Sequence, residues 1–280
     1  MAGLLGMLKL LPHRWRVPFA GWLTANVLAP LAGWRKRIRE HLALAMPDMP
    51  ADQRRALERA VPDNMGRIVI ELFSQADMAD IVAATPVTGP GVAALDAALA
   101  EGRPTICVSG HFGNYDIFRR VAERRGFDVG GLYRPLNNGR LNERYLAAIG
   151  SQGGRLFERG RSGFAGMIKH LRRGGMLALL IDQHMDRGAK LTYFGKPAYT
   201  AVSAGQLALK YNAVLVPVYA IRQPDGLNFE VVVEEPIPHT DEETMTQALN
   251  DSLEAQVRKH PEQWIWTHRR WKDRQKKKKA

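Results

Sequence analysis

From residue 104 to residue 260 the chain switches repeatedly between short apolar runs and stretches with helical spacing. That alternation restricts the fold more than any single residue. "PTICVSG" and "MLALLID" read as buried strands, and "FDVGGLYR" and "RLFE" as shorter ones. Between them, "NYDIFRRVAERRG", "GRLNERYLAAIGSQGG" and "SGFAGMIKHLRRGG" read as helices closed by glycine. "YTAVSAGQLALKYN" reads as a helix of small residues. "AVLVPVYAIR" and "NFEVVVEEP" read as strands joined through "QPDGL" in a hairpin. "DEETMTQALNDSLEAQVRKHPEQ" begins with acid at its N-terminus, as a helix should. Strands alternating with helices predict an α/β fold with a central, mostly parallel, mixed sheet flanked by helices. Upstream, residues 35 to 80 read as helical, with "ADQRRALERAV" and "DNMGRIVIELFSQ" carrying polar caps at Asp48 and Asp63. Residues 91 to 101 form another short helix, closed by Gly102. The expected division is an apolar membrane-associating segment over 1–34, a helical part over 35–89, an α/β core over 90–272 and a basic disordered tail over 273–280.

A chain of 280 residues, 45% apolar, can bury a core without disulfides or a structural metal. Its single cysteine, Cys107, lies inside an apolar run and reads as a small core residue. The net charge of +12 points to an anionic partner, but charge alone does not choose between nucleic acid, an acidic protein, a phosphorylated substrate and a membrane face. Much of the excess is local, in "RWR" (14–16), "RKRIR" (35–39), "RRW" (269–271) and "RQKKKK" (274–279). No RNA-recognition aromatic motif or zinc-finger spacing accompanies these clusters, which weighs against nucleic acid.

No charged residue interrupts "VPFAGWLTANVLAPLAGW", from Val17 to Trp34, and arginine flanks it on both sides. Eighteen residues are at the lower limit for a spanning helix, and Pro30, Thr24 and Asn26 count against one. Trp15, Trp22 and Trp34 favour the headgroup level. The segment is expected to associate with a membrane, in the interface rather than across it; a helix buried in the main domain is the competing reading.

"SGHFGNYD", residues 109 to 116, follows "PTICVS" directly. Ligands in open α/β sheets sit outside the carboxyl ends of the strands, which is where His111 is delivered. Gly110 and Gly113 relieve crowding at the turn, and Asp116 falls in the first turn of the next helix, from where it is expected to reach back to the imidazole. Such a pair suits general base catalysis: the imidazole takes a proton from a hydroxyl, and a carboxylate on the other ring nitrogen sets its tautomer. By spacing alone, local hydrogen-bonding roles remain open for both residues.

With "YRPLNN" (133–138), "LIDQH" (180–184), "FGKPAYT" (194–200) and "PEQWIWTHRRWK" (261–272) following in order, the chain resembles the late acyltransferases of lipid A biosynthesis, lauroyl/myristoyl type, within the H-x4-D/E glycerolipid acyltransferase superfamily. The resemblance covers about residues 35 to 272. It implies an enzyme at the cytoplasmic face of a bacterial inner membrane. That enzyme moves a fatty acyl group from acyl carrier protein, or acyl-CoA, to a hydroxyl of a phosphorylated glycolipid, with no metal or prosthetic group and no covalent acyl-enzyme. Many lipid A enzymes of this pattern carry glutamate where this chain has Asp116, which leaves a mannoside lipid, an ornithine lipid or a phospholipid open as acceptor. A non-catalytic basic module that binds membranes or nucleic acid is the reading from another class.

In these terms His111 is the base and Asp116 its orienting acid. Asn114 binds substrate or stabilises the turn. Arg134 and Arg159 are candidates for a substrate phosphate, against structural ion pairs. Asn137 is a polar companion in the same loop. Asp182 and Gln183 end a strand on the same edge, where Asp182 supports His111, binds substrate or serves the fold. The aromatic and basic "QWIWTHRRW" reads as packing at the end of the core or as a headgroup-facing edge.

Overall fold

The computed structural model describes residues 10–136, 138–150 and 155–272. Helix α1 (His13–Leu23) runs through a π-helical stretch, Thr24–Leu28, into Ala29–Leu31. Helices α2 (Trp34–Ala45), α3 (Ala51–Leu72) and α4 (Gln75–Ala84) follow. Next come β1 (Val87–Thr88), α5 (Val92–Ala100), β2 (Thr105–Ser109), α6 (Tyr115–Arg124), β3 (Val129–Tyr133), α7 (Gly139–Gly150), β4 (Arg155–Glu158), α8 (Arg161–Leu171) and β5 (Met176–Leu180). The chain continues through β6 (Ala189–Tyr193), β7 (Lys196–Thr200), α9 (Ser203–Tyr211), β8 (Val214–Arg222), β9 (Phe229–Val233) and α10 (Glu242–Lys259).

Seven strands form one sheet in the order β1-β9-β8-β2-β5-β3-β4. Every neighbouring pair is parallel except β8 and β9, which form the expected hairpin. Period-2 alternation separates two buried faces. Cys107, Val129, Met176, Val216 and Val218 pack beneath Ile117, Phe118 and Val121 of α6 and Met78 and Val82 of α4. Ile106, Val108, Leu177, Leu179 and Leu215 face the other way, onto Met167 and Leu171 of α8, Leu207 of α9 and Met245 and Leu249 of α10. With apolar layers on both sides, β2 lies at the centre of the sheet, and its carboxyl end is a defined point at the edge.

The N-terminal helices pack on this core through an aromatic cluster. Ile38 and Leu42 of α2 and Leu57 and Val61 of α3 meet Phe112, Tyr193, Phe194, Trp264 and Trp266. The block read as aromatic packing is therefore that: Trp264 and Trp266 are fully buried, and Arg270 is buried too, donating to Tyr199 O and Thr200 Oγ1.

Four local expectations change. First, α3 is one helix that runs through Pro62, not two, so Asp63 is no cap; it pairs with Arg67 one turn on. The cap position is Pro50 rather than Asp48. Second, the proposed small-residue helix starts only at Ser203, because residues 189–200 form the antiparallel hairpin β6–β7. Its two-residue turn, Phe194-Gly195, has both φ values positive (53° and 63°), the handedness that matches strand twist. Third, the short strand β1 precedes α5 and pairs with β9.

The fourth concerns the uncharged stretch from Val17 to Trp34. No helix among the described residues is long and apolar enough to cross a membrane. Val17, Ala20 and Ala29 are buried, and α1 lies tight against α3. A Cβ added at Gly66 would stand 2.5 Å from Ala20 O, so only glycine permits this approach. The opposite face leaves Trp15, Phe19, Trp22, Leu28 and Leu31 exposed, Leu31 at 83%. The buried-helix reading thus describes one side of this element, and its other side is an exposed apolar face. The expected basic tail, 273–280, lies outside the described residues.

Candidate active site

Strand β2 ends at Ser109, and the chain turns over Gly110–Gly113 into α6. Gly113 is required here, and Gly110 sits in a tight space. A Cβ at Gly110 would come within 2.8 Å of the Leu253 side chain and 3.1 Å of Asp182 Oδ2. Gly113 has φ +54°, and a Cβ there would overlap Ala220 O at 1.8 Å. The turn is stitched down on three sides. Ile265 N donates to His111 O, Gly113 N to Gln263 O, and Asn114 N to Ala220 O, at 3.0–3.2 Å. Phe112 forms an isolated bridge with Trp264. The loop that carries His111 is thereby held by backbone bonds to β8 and to the segment after α10.

The carboxylate that meets His111 comes from β5, not from α6. Asp182 Oδ2 accepts from His111 N at 2.7 Å, and Asp182 Oδ1 lies 2.8 Å from His111 Nδ1. Trp264 Nε1 donates to the same Oδ2 at 2.9 Å. The register makes this arrangement natural: β2 and β5 are neighbours, with Ser109 opposite Leu180, so residues 111 and 182 leave the sheet side by side. Asp182 is buried, whereas the His111 side chain is 21% exposed. With Nδ1 held by a carboxylate, the neutral ring carries its proton there and presents Nε2 outward as a base.

Each partner shifts the other. Burial alone would lower the imidazole pKa of His111, but the charge of Asp182 and its hydrogen bond outweigh burial, and the net shift is upward. Burial would raise the Asp182 pKa. The opposing charge of His111 and the bonds from the ring, the His111 amide and the Trp264 indole instead hold it below the usual carboxylate range. His268 stands behind the pair and accepts from His184 N at 3.1 Å. Burial, the dominant influence, lowers its pKa to about 4, so it stays neutral near the site at neutral pH. Cys107 is no competing nucleophile, since burial pushes its thiol pKa up.

Asp116 lies in the first turn of α6, as expected, but it does not reach back to the imidazole. Its carboxylate accepts from Arg119 Nε at 2.9 Å, one turn along the same helix, and both side chains are buried. A residue at N2 of the helix has its side chain directed along the helix surface, where an i+3 guanidinium competes for it. Asn114 is the N-cap. Its Oδ1 accepts from Asp116 N and its Nδ2 donates to Glu71 Oε2, so its polar groups are engaged inside the protein rather than offered to substrate.

Gln183 is exposed, with Nε2 3.5 Å from His111 Nε2, too long for a good hydrogen bond but at the mouth of the site. Arg134 and Arg159 are both exposed, at the carboxyl ends of β3 and β4, and Arg159 N donates to Tyr133 O. With strands about 4.8 Å apart, these ends lie roughly 10 and 14 Å across the sheet edge from that of β2. That distance suits a remote group of a bound molecule rather than the reacting atoms. Asn137 lies outside the described residues. Among the described residues no group of three or more His, Cys, Asp or Glu side chains is arranged to hold a metal ion.

Two members of the site were missed as such in the sequence. Trp264 was visible only as an aromatic in a packing block, although a buried indole N–H demands an acceptor. Tyr115 packs edge-on against His111, ring centroids 5.4 Å apart, as the second residue after a glycine turn.

A family model described as bacterial lipid A biosynthesis acyltransferase matches residues 1–273. The chain is 25% identical over 274 residues to a phosphatidylinositol mannoside acyltransferase of Mycobacterium tuberculosis, covering 90% of this chain and 86% of that protein. It is 26% identical over 247 residues to the lipid A biosynthesis lauroyltransferase of Escherichia coli K12, covering 85% and 79%. To the lipid A biosynthesis palmitoleoyltransferase of the same organism it is 25% identical over 266 residues, covering 91% and 85%.

Proposed function

The chain belongs to the bacterial lipid A biosynthesis acyltransferase family and is an acyltransferase; we propose that it moves a fatty acyl group from acyl carrier protein to a hydroxyl of a phosphorylated glycolipid, a lipid A precursor in the first instance. One observation carries the mechanism: His111 Nδ1 is tied to buried Asp182 while the ring's other nitrogen faces the carboxyl edge of the sheet.

His111 Nε2 takes the proton of the acceptor hydroxyl as its oxygen attacks the thioester carbonyl. A C–O bond forms, the carbonyl electrons move to oxygen, and they return as the C–S bond breaks. The imidazolium, stabilised by Asp182, then passes its proton to the departing thiolate. No residue of the chain is acylated. The leaving thiol remains on the carrier, and the ester stays on the lipid.

Arg134 and Arg159 are suited to a phosphate some 10–14 Å from the reacting hydroxyl, a separation that a phosphorylated sugar lipid provides. Asp116 has a supporting part, holding Arg119 and the start of α6. The exposed Trp15, Phe19, Trp22 and Leu31, beside the arginine-rich start of α2, dock the enzyme on an anionic membrane surface. The same positive charge attracts acidic acyl carrier protein.

Identity near 25% to both lipid A and mannoside-lipid enzymes makes the acceptor the point to test. Purified enzyme is incubated with dodecanoyl acyl carrier protein and either a phosphorylated glucosamine-disaccharide lipid or a phosphatidylinositol mannoside, and products are read by mass spectrometry. Transfer to the disaccharide lipid supports the proposal. Transfer to the mannoside alone reassigns the acceptor, and transfer to neither with release of no thiol rejects the acyl-transfer mechanism.

A further inference from the structure

Glu71 is the penultimate residue of α3, is 1% exposed, and carries a carboxylate at the end of a helix where the dipole disfavours negative charge. A buried carboxylate in such a place needs compensation, and it has it. Arg222, at the end of β8, donates through Nη1 to Glu71 Oε1 at 2.5 Å and through Nη2 to Oε2 at 2.8 Å. The guanidinium is itself fixed: Nε donates to Asn64 Oδ1, Nη1 also to Gly226 O, and its plane lies over Phe229, 4.7 Å from the ring centroid. The Arg222 backbone is locked in turn by both ends of the Gln263 amide.

The third bond to this carboxylate comes from Asn114 Nδ2, at 2.8 Å. An ionised carboxylate only accepts, so the asparagine must turn its NH2 toward Glu71. Its Oδ1 is then forced toward Asp116 N, which it caps at 3.2 Å. The charge on α3 thus dictates which way the N-cap amide points, and the N-cap dictates where α6 begins. Three residues earlier in the same stitched turn stands His111. The Gln263 that locks Arg222 also accepts Gly113 N on its carbonyl, so one network grips the turn at two successive residues.

From this we infer that Glu71 is a positioning residue for the catalytic turn: it acts through Asn114, never touches substrate, and makes the helical N-terminal layer a working part of the active site. The inference rests on His111 being the base of acyl transfer. It assigns a role to a residue of α3 that lies outside every motif block and forty residues from the histidine in sequence.

The test exchanges donor and acceptor across the contact. N114D places a second carboxylate against Glu71; E71Q leaves an amide where both Arg222 and Asn114 donate. In the double variant E71Q/N114D the glutamine amide nitrogen donates to the new carboxylate, whose other oxygen still caps Asp116 N, while Arg222 Nη2, which shares Glu71 Oε2 with Asn114 in the wild type, loses that acceptor. Folded proteins are assayed with dodecanoyl acyl carrier protein and whichever acceptor lipid the mass-spectrometric assay identifies, well below their melting midpoints. For N114D the turnover number falls about a hundredfold and for E71Q about tenfold, with KM for the carrier unchanged, since misplacing a base by an ångström is that costly. The double variant recovers about tenfold over N114D, since the Asn114 side of the contact is restored and the Arg222 Nη2 side is not. In parallel, the NMR signal of the His111 ring moves in N114D and returns in the double variant, a readout that needs no turnover. A folded double variant that stays as impaired as N114D overturns the inference, as do single variants with wild-type turnover; should the double variant not fold, an unmoved His111 ring signal in folded N114D overturns it. A wild-type enzyme without acyl transfer rejects the proposed function instead, and the ring signal then decides the positioning contact alone.

Discussion

Two aspartates stand near the turn that carries His111, on different elements, and their carboxylates have different partners. Asp116, five residues after His111, is local in sequence, yet its carboxylate is taken by Arg119 on its own helix. Asp182, far away in sequence, is adjacent in space because β2 and β5 pair in parallel, and it holds the imidazole. Proximity along the chain favours a side chain's own helix; proximity across a parallel sheet brings strand ends together at the edge where ligands bind. The difference teaches that the spacing of a short motif need not describe its hydrogen bonds.

Substitutions separate the two carboxylates in order of effect. H111A is expected to remove the base altogether and lower the turnover number by about 10⁴-fold or more, read as carrier thiol released per minute; a folded H111A enzyme at wild-type rate would refute general base catalysis by this residue. D182N keeps the shape of the carboxylate but offers an amide to the ring, and a loss of about 10³–10⁴-fold follows from the wrong tautomer. D116N leaves the imidazole and its partner in place. Its main effect is on the buried contact with Arg119, about 1–3 kcal/mol of stability by denaturant unfolding, with a rate loss of roughly tenfold or less. A D116N enzyme crippled as severely as D182N would erase the distinction between the two. R134A, at an exposed site, is expected to raise KM for a phosphorylated acceptor by about fivefold, near 1 kcal/mol, while the turnover number holds.

Much of this was readable from the chain before folding. The strands β2, β5, β8 and β9, the helix α10 with its Asp241 cap, and the glycine turn that carries His111 all announce themselves through local pattern and turn chemistry. Asp182 was legible only as one candidate to support His111, beside Asp116, because the choice depends on which strands become neighbours, and β3 and β4 lie between β2 and β5 in sequence but not in the sheet. The β6–β7 hairpin was hidden by short strands that carry Lys190, Lys196 and Pro197 and by a turn that sets Phe194 at positive φ, a conformation its burial against Tyr193 and Trp266 sustains. Pro62 looked like a helix boundary, yet packing on both sides of α3 carries the helix through it. Asn114 was visible as a turn residue; that it answers to a carboxylate on α3 required the helical layer to be laid against the core.

The central claim is that Asp182, rather than Asp116, governs the protonation of His111, and NMR titration of the His111 ring tests it most directly. In the wild type the ring is expected to titrate above its ordinary value, because the charge and hydrogen bond of Asp182 overcome burial. Activity should accordingly rise with pH through that same pKa, since the base works only when neutral. In D182N the raising influences vanish, burial remains, and the titration moves to lower pH. In D116N it stays where it was. A midpoint that drops in D116N and holds in D182N would contradict the assignment and return the orienting role to the motif's own aspartate.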